Sequence, residues 1–206
     1  TIHSICGAFS VLGLSGIFWF NRLIPVLVDS LAMNFCLLSL ITYYYDENLF
    51  FLSIIFSILA GCTKESSPLF IYLITFNNFH LLGFLSPLLI KLFKKQGQDQ
   101  CSGLAKLAAS EPLKTCIPLR LNSWNNFNLM ILPWGGLLAG LFYPSISLIF
   151  SLICSYSMLW IVTDTVRIYQ WSWIAVIIAT YTNIPDYLAI PICLLTVFNP
   201  YKSNGA

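Results

Sequence analysis

Long apolar stretches separated by very few charges are the feature that most restricts this chain. They run from Ile5 to Phe20, Ser30 to Tyr45, Leu49 to Cys62, Pro68 to Phe93, Leu129 to Tyr143 and Ser145 to Val162, with a broken pair over Trp171 to Phe198. Of the 206 residues, 58% are hydrophobic and only 9% are charged, whereas a soluble domain carries about 25% charged residues. The composition predicts an integral membrane protein. Crossing a bilayer takes roughly 20 apolar residues per helix, which predicts about six to eight spanning or half-spanning segments. The expected fold is all-α: a polytopic transmembrane helix bundle forming one transmembrane domain over residues 1–206, with some segments short or broken. The chain opens on Thr1, and no basic region precedes the first apolar run; no intact signal peptide is expected, and an N-terminal portion is expected to be missing.

Breaks between the runs carry the local signals. Ser67 before Pro68 reads as a helix cap followed by the first helical residue, where proline's missing amide hydrogen costs nothing. Asn48 offers a similar cap before Leu49, with Asp46 and Glu47 placed to complement the helix dipole. "TKESS" at 63–67 is thereby left as a turn, and "DEN" at 46–48 becomes the tip of a helical hairpin. In the polar, basic loop expected over 94–128, "GLAKLAAS" at 103–110 suggests a short interfacial helix. Lys91, Lys94, Lys95, Lys106, Lys114 and Arg120 outnumber Asp99 and Glu111 around this loop, which assigns it to the cytoplasmic side. Counting helices back puts Lys64, and then Asp29, on the opposite side.

Seven cysteines, at 6, 36, 62, 101, 116, 154 and 193, are scattered and mostly lie in apolar runs, where the thiol acts as a small hydrophobe. No ligand spacing suggests a metal site, and a Cys101–Cys116 disulfide requires an oxidising compartment. His80 reads as a packing or interfacial histidine. Gly136 and Gly140 stand at the spacing that lets helices approach closely, with packing inside the chain as the expected use. Aromatic clusters without basic grooves read as interfacial belts, and no nucleic-acid partner is expected. The sequence lacks the motifs of nucleotide hydrolysis, dinucleotide binding, serine hydrolysis and zincin chemistry.

Charges at the edge of a membrane segment must be paired, hydrated or used. Asp29, Lys64, Glu65, Asp164 and Arg167 meet that description. Lys64 and Glu65 fit a solvated turn as well as a site; Asp29 fits a helix cap as well as a site. Asp164 and Arg167, at i,i+3 spacing, suit a local ion pair acting as a structural latch. Two antiparallel crossings return the chain from Asp29 to the face that holds Lys64. There a carboxylate can activate a hydroxyl and an ammonium can hold a phosphate.

The stretch "LIPVLVDSLAMNFCLLSLITYYYDENLFFLSIIFSILAGCTKESSPLFIYL" resembles polytopic GT-C-class membrane glycosyltransferases, in which an aspartate opens one helix and a "TKE" or "TKG" turn follows a hairpin later. "WIVTDTVRIYQWSWIAVI" is similar to a "TDTxR" segment near the end of some related bacterial membrane proteins. The resemblance implies a fragment of an enzyme in the plasma (inner) membrane of a bacterium, in contact with membrane lipids. Its sugar donor would be a polyprenyl phosphate sugar and its acceptor extracytoplasmic. It implies that Asp29 is the acidic residue at a helix mouth, Lys64 the turn lysine near the donor phosphate and Glu65 its acidic neighbour. The family's usual catalytic acid, in the first extracytoplasmic loop, has no counterpart here, in keeping with a missing N-terminal portion. No cofactor follows from these residues. A transporter or flippase component lined by Asp29, Lys64 and Asp164, or a noncatalytic membrane subunit, accounts for the same charges.

Overall fold

A computed structural model describes residues 1–13, 29–86, 110–121, 128, 130–158, 160 and 170–199. Among the described residues the chain is helical and forms no strand, as expected for the all-α class. The chain divides into two compact units. One, the hairpin unit, is Ile24–Asp99; the other, the terminal unit, joins Thr1–Leu23 to Gln100–Ala206.

In the hairpin unit, α2 (Asp29–Tyr45) and α3 (Phe50–Thr63) run antiparallel. They are followed by α4 (Ser67–Thr75) and a 3-10 segment, Asn78–Leu85. The hairpin turns where expected, but Asn48 caps nothing: Asp46 caps a 3-10 turn, Glu47–Leu49, and α3 follows from Leu49 without a side-chain cap. The Asp46 carboxylate accepts the Asn48 amide at 2.9 Å, because a short acidic side chain reaches the backbone N–H two residues on. The apolar run beginning at Pro68 is not continuous. Phe76 adopts a left-handed conformation (φ 51°, ψ 24°) and closes α4, and Asn77 then caps the 3-10 turn by accepting the Phe79 amide at 3.0 Å.

The packing of α3 reverses the usual amphipathic pattern. Ser53, Ser57, Ala60 and Gly61 form its buried face, while Phe51, Ile55, Leu59 and Cys62 face outward. Along α2 the buried side chains Ala32, Cys36, Ser39 and Leu40 oppose exposed Leu31, Leu38, Ile41 and Tyr45. Small faces allow the backbones to close up. Ser39 Oγ donates to the Ser53 carbonyl at 2.8 Å, and Ser53 Oγ donates to the Ser39 carbonyl at 2.6 Å. Each hydroxyl thus satisfies itself on the facing helix. A Cβ on Gly61 would collide with the Gly83 carbonyl, so α3 and the 78–85 segment touch backbone to backbone.

The terminal unit holds α1 (Ile2–Ser10), α5 (Pro112–Leu121), a 3-10 segment Leu132–Phe142, α6 (Ile146–Met158), α7 (Trp173–Asn183) and α8 (Asp186–Val197). The expected basic loop thus contains a ten-residue helix, in which Thr115 Oγ1 donates to the Glu111 carbonyl at 3.0 Å. The expected interfacial helix at 103–110 lies almost wholly outside the described residues. The broken pair over Trp171 to Phe198 appears as α7 and α8, divided at Ile184 and Pro185. Pro191 sits inside α8, where a break was also expected. Gly136 and Gly140 serve packing within the chain: a Cβ on either would collide with Ile192 of α8 or Thr180 of α7.

Among the described residues no helix is long and apolar enough to cross a membrane. The longest, α2, has 17 residues, a length of about 26 Å at the α-helical rise, against a hydrocarbon core of about 30 Å. Expected segments are shortened where the left-handed turn at Phe76 and the 3-10 stretches interrupt apolar runs that read as continuous.

The two faces of α3 should respond oppositely to change. Gly61→Ala is expected to destabilise the fold by about 1–3 kcal/mol through overpacking, whereas Ile55→Ala, on the outer face, should change stability by less than about 0.5 kcal/mol. Chemical unfolding of the purified variants measures both, and equal losses would contradict this packing.

Candidate functional site

The Lys64 turn is assembled by backbone bonds from α3 into α4. The Lys64 amide donates to the Ala60 carbonyl at 2.8 Å, ending α3, and the Ser67 amide donates to the Lys64 carbonyl at 3.0 Å. Lys64 itself is extended (φ −147°, ψ 114°), which is the departure that lets the chain leave one helix and enter the next. Thr63 Oγ1 folds back on the Ala60 carbonyl at 2.8 Å. Helix α4 starts one residue earlier than expected: Ser67 is its first residue and Ser66 the capping position, with Pro68 in the first turn. Lys64 is half-buried and Glu65 exposed.

Asp29 opens the described part of α2; its side chain lies outside the described residues. The register of the hairpin fixes its level. Phe35 stacks on Phe56 with ring centroids 6.3 Å apart, Ser39 bonds to Ser53, and Tyr43 meets Phe50 at 6.4 Å. Continued toward the start of α2, this antiparallel ladder brings the helix beginning at Asp29 level with the last turn of α3, which leads into Lys64. Cys36 also approaches the far side of the turn, its Sγ lying 4.0 Å from the Ser67 carbonyl oxygen. Asp164 and Arg167, the expected latch, lie outside the described residues, as does Cys101. Cys116 is buried with a free thiol.

Two buried polar side chains in this unit stand out. His80 is wholly buried and packs edge-on against Tyr43, ring centroids 5.4 Å apart. That is the packing role expected of it, although neither ring nitrogen has a hydrogen-bond partner. Ser57 Oγ bonds to the His80 carbonyl at 3.0 Å. Ser67 Oγ is also buried without a partner.

The terminal unit holds a constellation that the sequence does not announce. His3 Nε2 lies 3.0 Å from a carboxylate oxygen of Asp186, a close approach rather than an aligned hydrogen bond. Ser10 and Tyr181 share a 2.6 Å hydroxyl bond. His3, Ser4, Gly7, Tyr181 and Thr182 contribute to a groove of about 490 Å³. The partners come from opposite ends of the chain, so no local motif signals them. Among the described residues no group of three His, Cys, Asp or Glu side chains is arranged to hold a metal ion.

No family model, curated protein or solved structure matches the chain.

Two buried serines of the hairpin unit give a direct comparison. Removing the unpartnered Ser67 hydroxyl by Ser67→Ala should leave stability unchanged or raise it by about 1 kcal/mol, while Ser39→Ala should lower it by about 1 kcal/mol. Unfolding midpoints of the two variants decide; a clear loss for Ser67→Ala would mean that its hydroxyl has a partner.

Proposed function

We propose that this chain is a lipid-embedded helical protein and part of a glycosyltransferase that takes a sugar from a polyprenyl phosphate donor to an extracytoplasmic acceptor. The observation that carries the reading is one hairpin with hydrocarbon outside and hydroxyls inside, whose open end joins the start of α2 to the Lys64 turn. In water, such an outer surface would expose apolar area at roughly 25 cal/mol per Å². In lipid it is the favourable surface, and polar groups belong inside, bonded to one another.

In this reading Lys64 faces the donor phosphate and stabilises the negative charge that grows as the bond between the sugar's anomeric carbon and the phosphate oxygen breaks. Asp29 accepts the proton of the acceptor hydroxyl as its oxygen bonds to that carbon. Glu65, beside Lys64, orients the ammonium. Asp164 and Arg167 act as a latch.

An alternative of a different class draws on the 3-10 segment 132–142 and the divided α7–α8 pair. Interrupted segments of this kind line transport paths, which suits a transporter or flippase component. Uptake by proteoliposomes of a substrate that stays covalently unchanged would favour it.

Two measurements test the main reading. With Cys62 replaced by serine, Asn48→Cys and Ser66→Cys should react with impermeant maleimide from opposite sides of the membrane; labelling from the same side would defeat the embedded hairpin. Lys64→Met, in a full-length chain in membranes, should reduce sugar transfer from the lipid donor about 100-fold, the scale of losing a preorganised donor, and Lys64→Arg should retain more activity. Unchanged turnover in Lys64→Met would remove the proposed role.

A further inference from the structure

A cavity of about 140 Å³ lies within the terminal unit, between the 132–142 segment, α6 and α7. One wall comes from a single run: Trp134, Leu137, Leu138 and Leu141. The glycines of the same run face elsewhere, Gly136 against Ile192 and Gly140 against Thr180. The segment therefore lays its smooth side on α7 and α8 and turns bulky side chains toward the cavity. Leu152 and Tyr156 of α6 and Val176 of α7 also line it, and it opens to the surface where Leu141 is exposed.

The polar atoms beside this cavity already have partners. Trp134 Nε1 donates to Tyr156 Oη at 3.0 Å, and Tyr156 donates in turn to the Met130 carbonyl at 2.5 Å. A ligand bringing a hydroxyl, amide or charge would be desolvated here without gaining a hydrogen bond. An apolar ligand loses nothing. Size sets the second limit: an apolar protein cavity of roughly 150 Å³ admits benzene or xenon. The end of a hydrocarbon chain fits the same space, but a whole lipid does not.

We propose that this cavity is a binding site for an apolar hydrocarbon group of about benzene size, supplied either by the end of a lipid chain or by a small free hydrocarbon. Trp134 in the wall makes occupancy measurable. The full chain, reconstituted in phosphatidylcholine vesicles, is examined in two arms: vesicles whose acyl chains are brominated near the methyl end, and plain vesicles with added iodobenzene. Both bromine and iodine quench indole fluorescence at contact. The fluorescence lost by the unaltered chain, less that lost by Trp134→Phe, is the share of Trp134.

Substantial quenching of that share in either arm is expected, and the arm in which it occurs identifies the source. Filling the cavity by Leu152→Phe, or separately by Val176→Phe, should reduce it at least twofold in whichever variant keeps the near-ultraviolet circular dichroism of the unaltered chain. Absence of Trp134 quenching in both arms would overturn the proposal, as would equal quenching in the folded filled variants. The iodobenzene arm does not rest on the glycosyltransferase reading: loss of sugar transfer in Lys64→Met and quenching of Trp134 succeed or fail separately.

Discussion

The meeting of small faces between α2, α3 and the 78–85 segment is the constraint on which the hairpin unit depends. Ser39 and Ser53 exchange hydroxyl-to-carbonyl bonds across the hairpin, and Gly61 lies directly beneath the Gly83 carbonyl. A larger side chain at either contact would separate the backbones and break the hydroxyl bonds together. Because the buried face of α3 is serine, alanine and glycine, the bulk of that helix lies on its outer face. The exposed phenylalanine, leucine and isoleucine side chains are thus a consequence of the packing as much as of the composition.

Hydroxyl groups make this arrangement self-sufficient. Thr42, Thr75, Thr180 and Thr196 each donate to the carbonyl four residues earlier, at 2.8–3.0 Å. Such bonds place a polar group within an apolar helix while asking nothing of solvent. They also explain how so many serines and threonines are buried without a hydrated core. His80, Ser67 and Ser151 are exceptions among the described residues; His80 is held by shape against Tyr43 rather than by a partner for its ring nitrogens. The terminal unit adds a bond between residues far apart in sequence: Asn199 Nδ2 donates to the Leu132 carbonyl at 2.7 Å and anchors the 132–142 segment.

The functional reading follows from these faces. A turn lysine is chemically ordinary in water; in the proposed setting, beside a hydrocarbon surface, its charge is what would meet a phosphate. In the cavity beside Trp134 the polar atoms of the lining side chains Trp134 and Tyr156 are already engaged, which is why an apolar ligand is proposed there.

The local breaks were legible because short-range chemistry makes them. Acidic and amide side chains at 46–48, the Ser-Pro pair at 67–68 and Pro185 act within a few residues, and each marks the neighbourhood of an observed helix boundary. Boundaries shifted by a residue or so, as where a 3-10 turn capped by Asp46 precedes α3 and delays its start to Phe50. The division of the Pro68 run was not legible, since Phe76 gives no warning of a left-handed turn. By itself the sequence determined an apolar, all-helical chain with a hairpin turning at 46–48, while the contacts of Phe35 with Phe56 and Ser39 with Ser53 set the register of that hairpin. The tertiary structure alone decided which face of each helix turned inward and which distant groups met: with apolar residues on every side, hydrophobic periodicity cannot distinguish the faces. Ser10 and Tyr181, 171 residues apart, meet only because the chain's two ends fold into one unit.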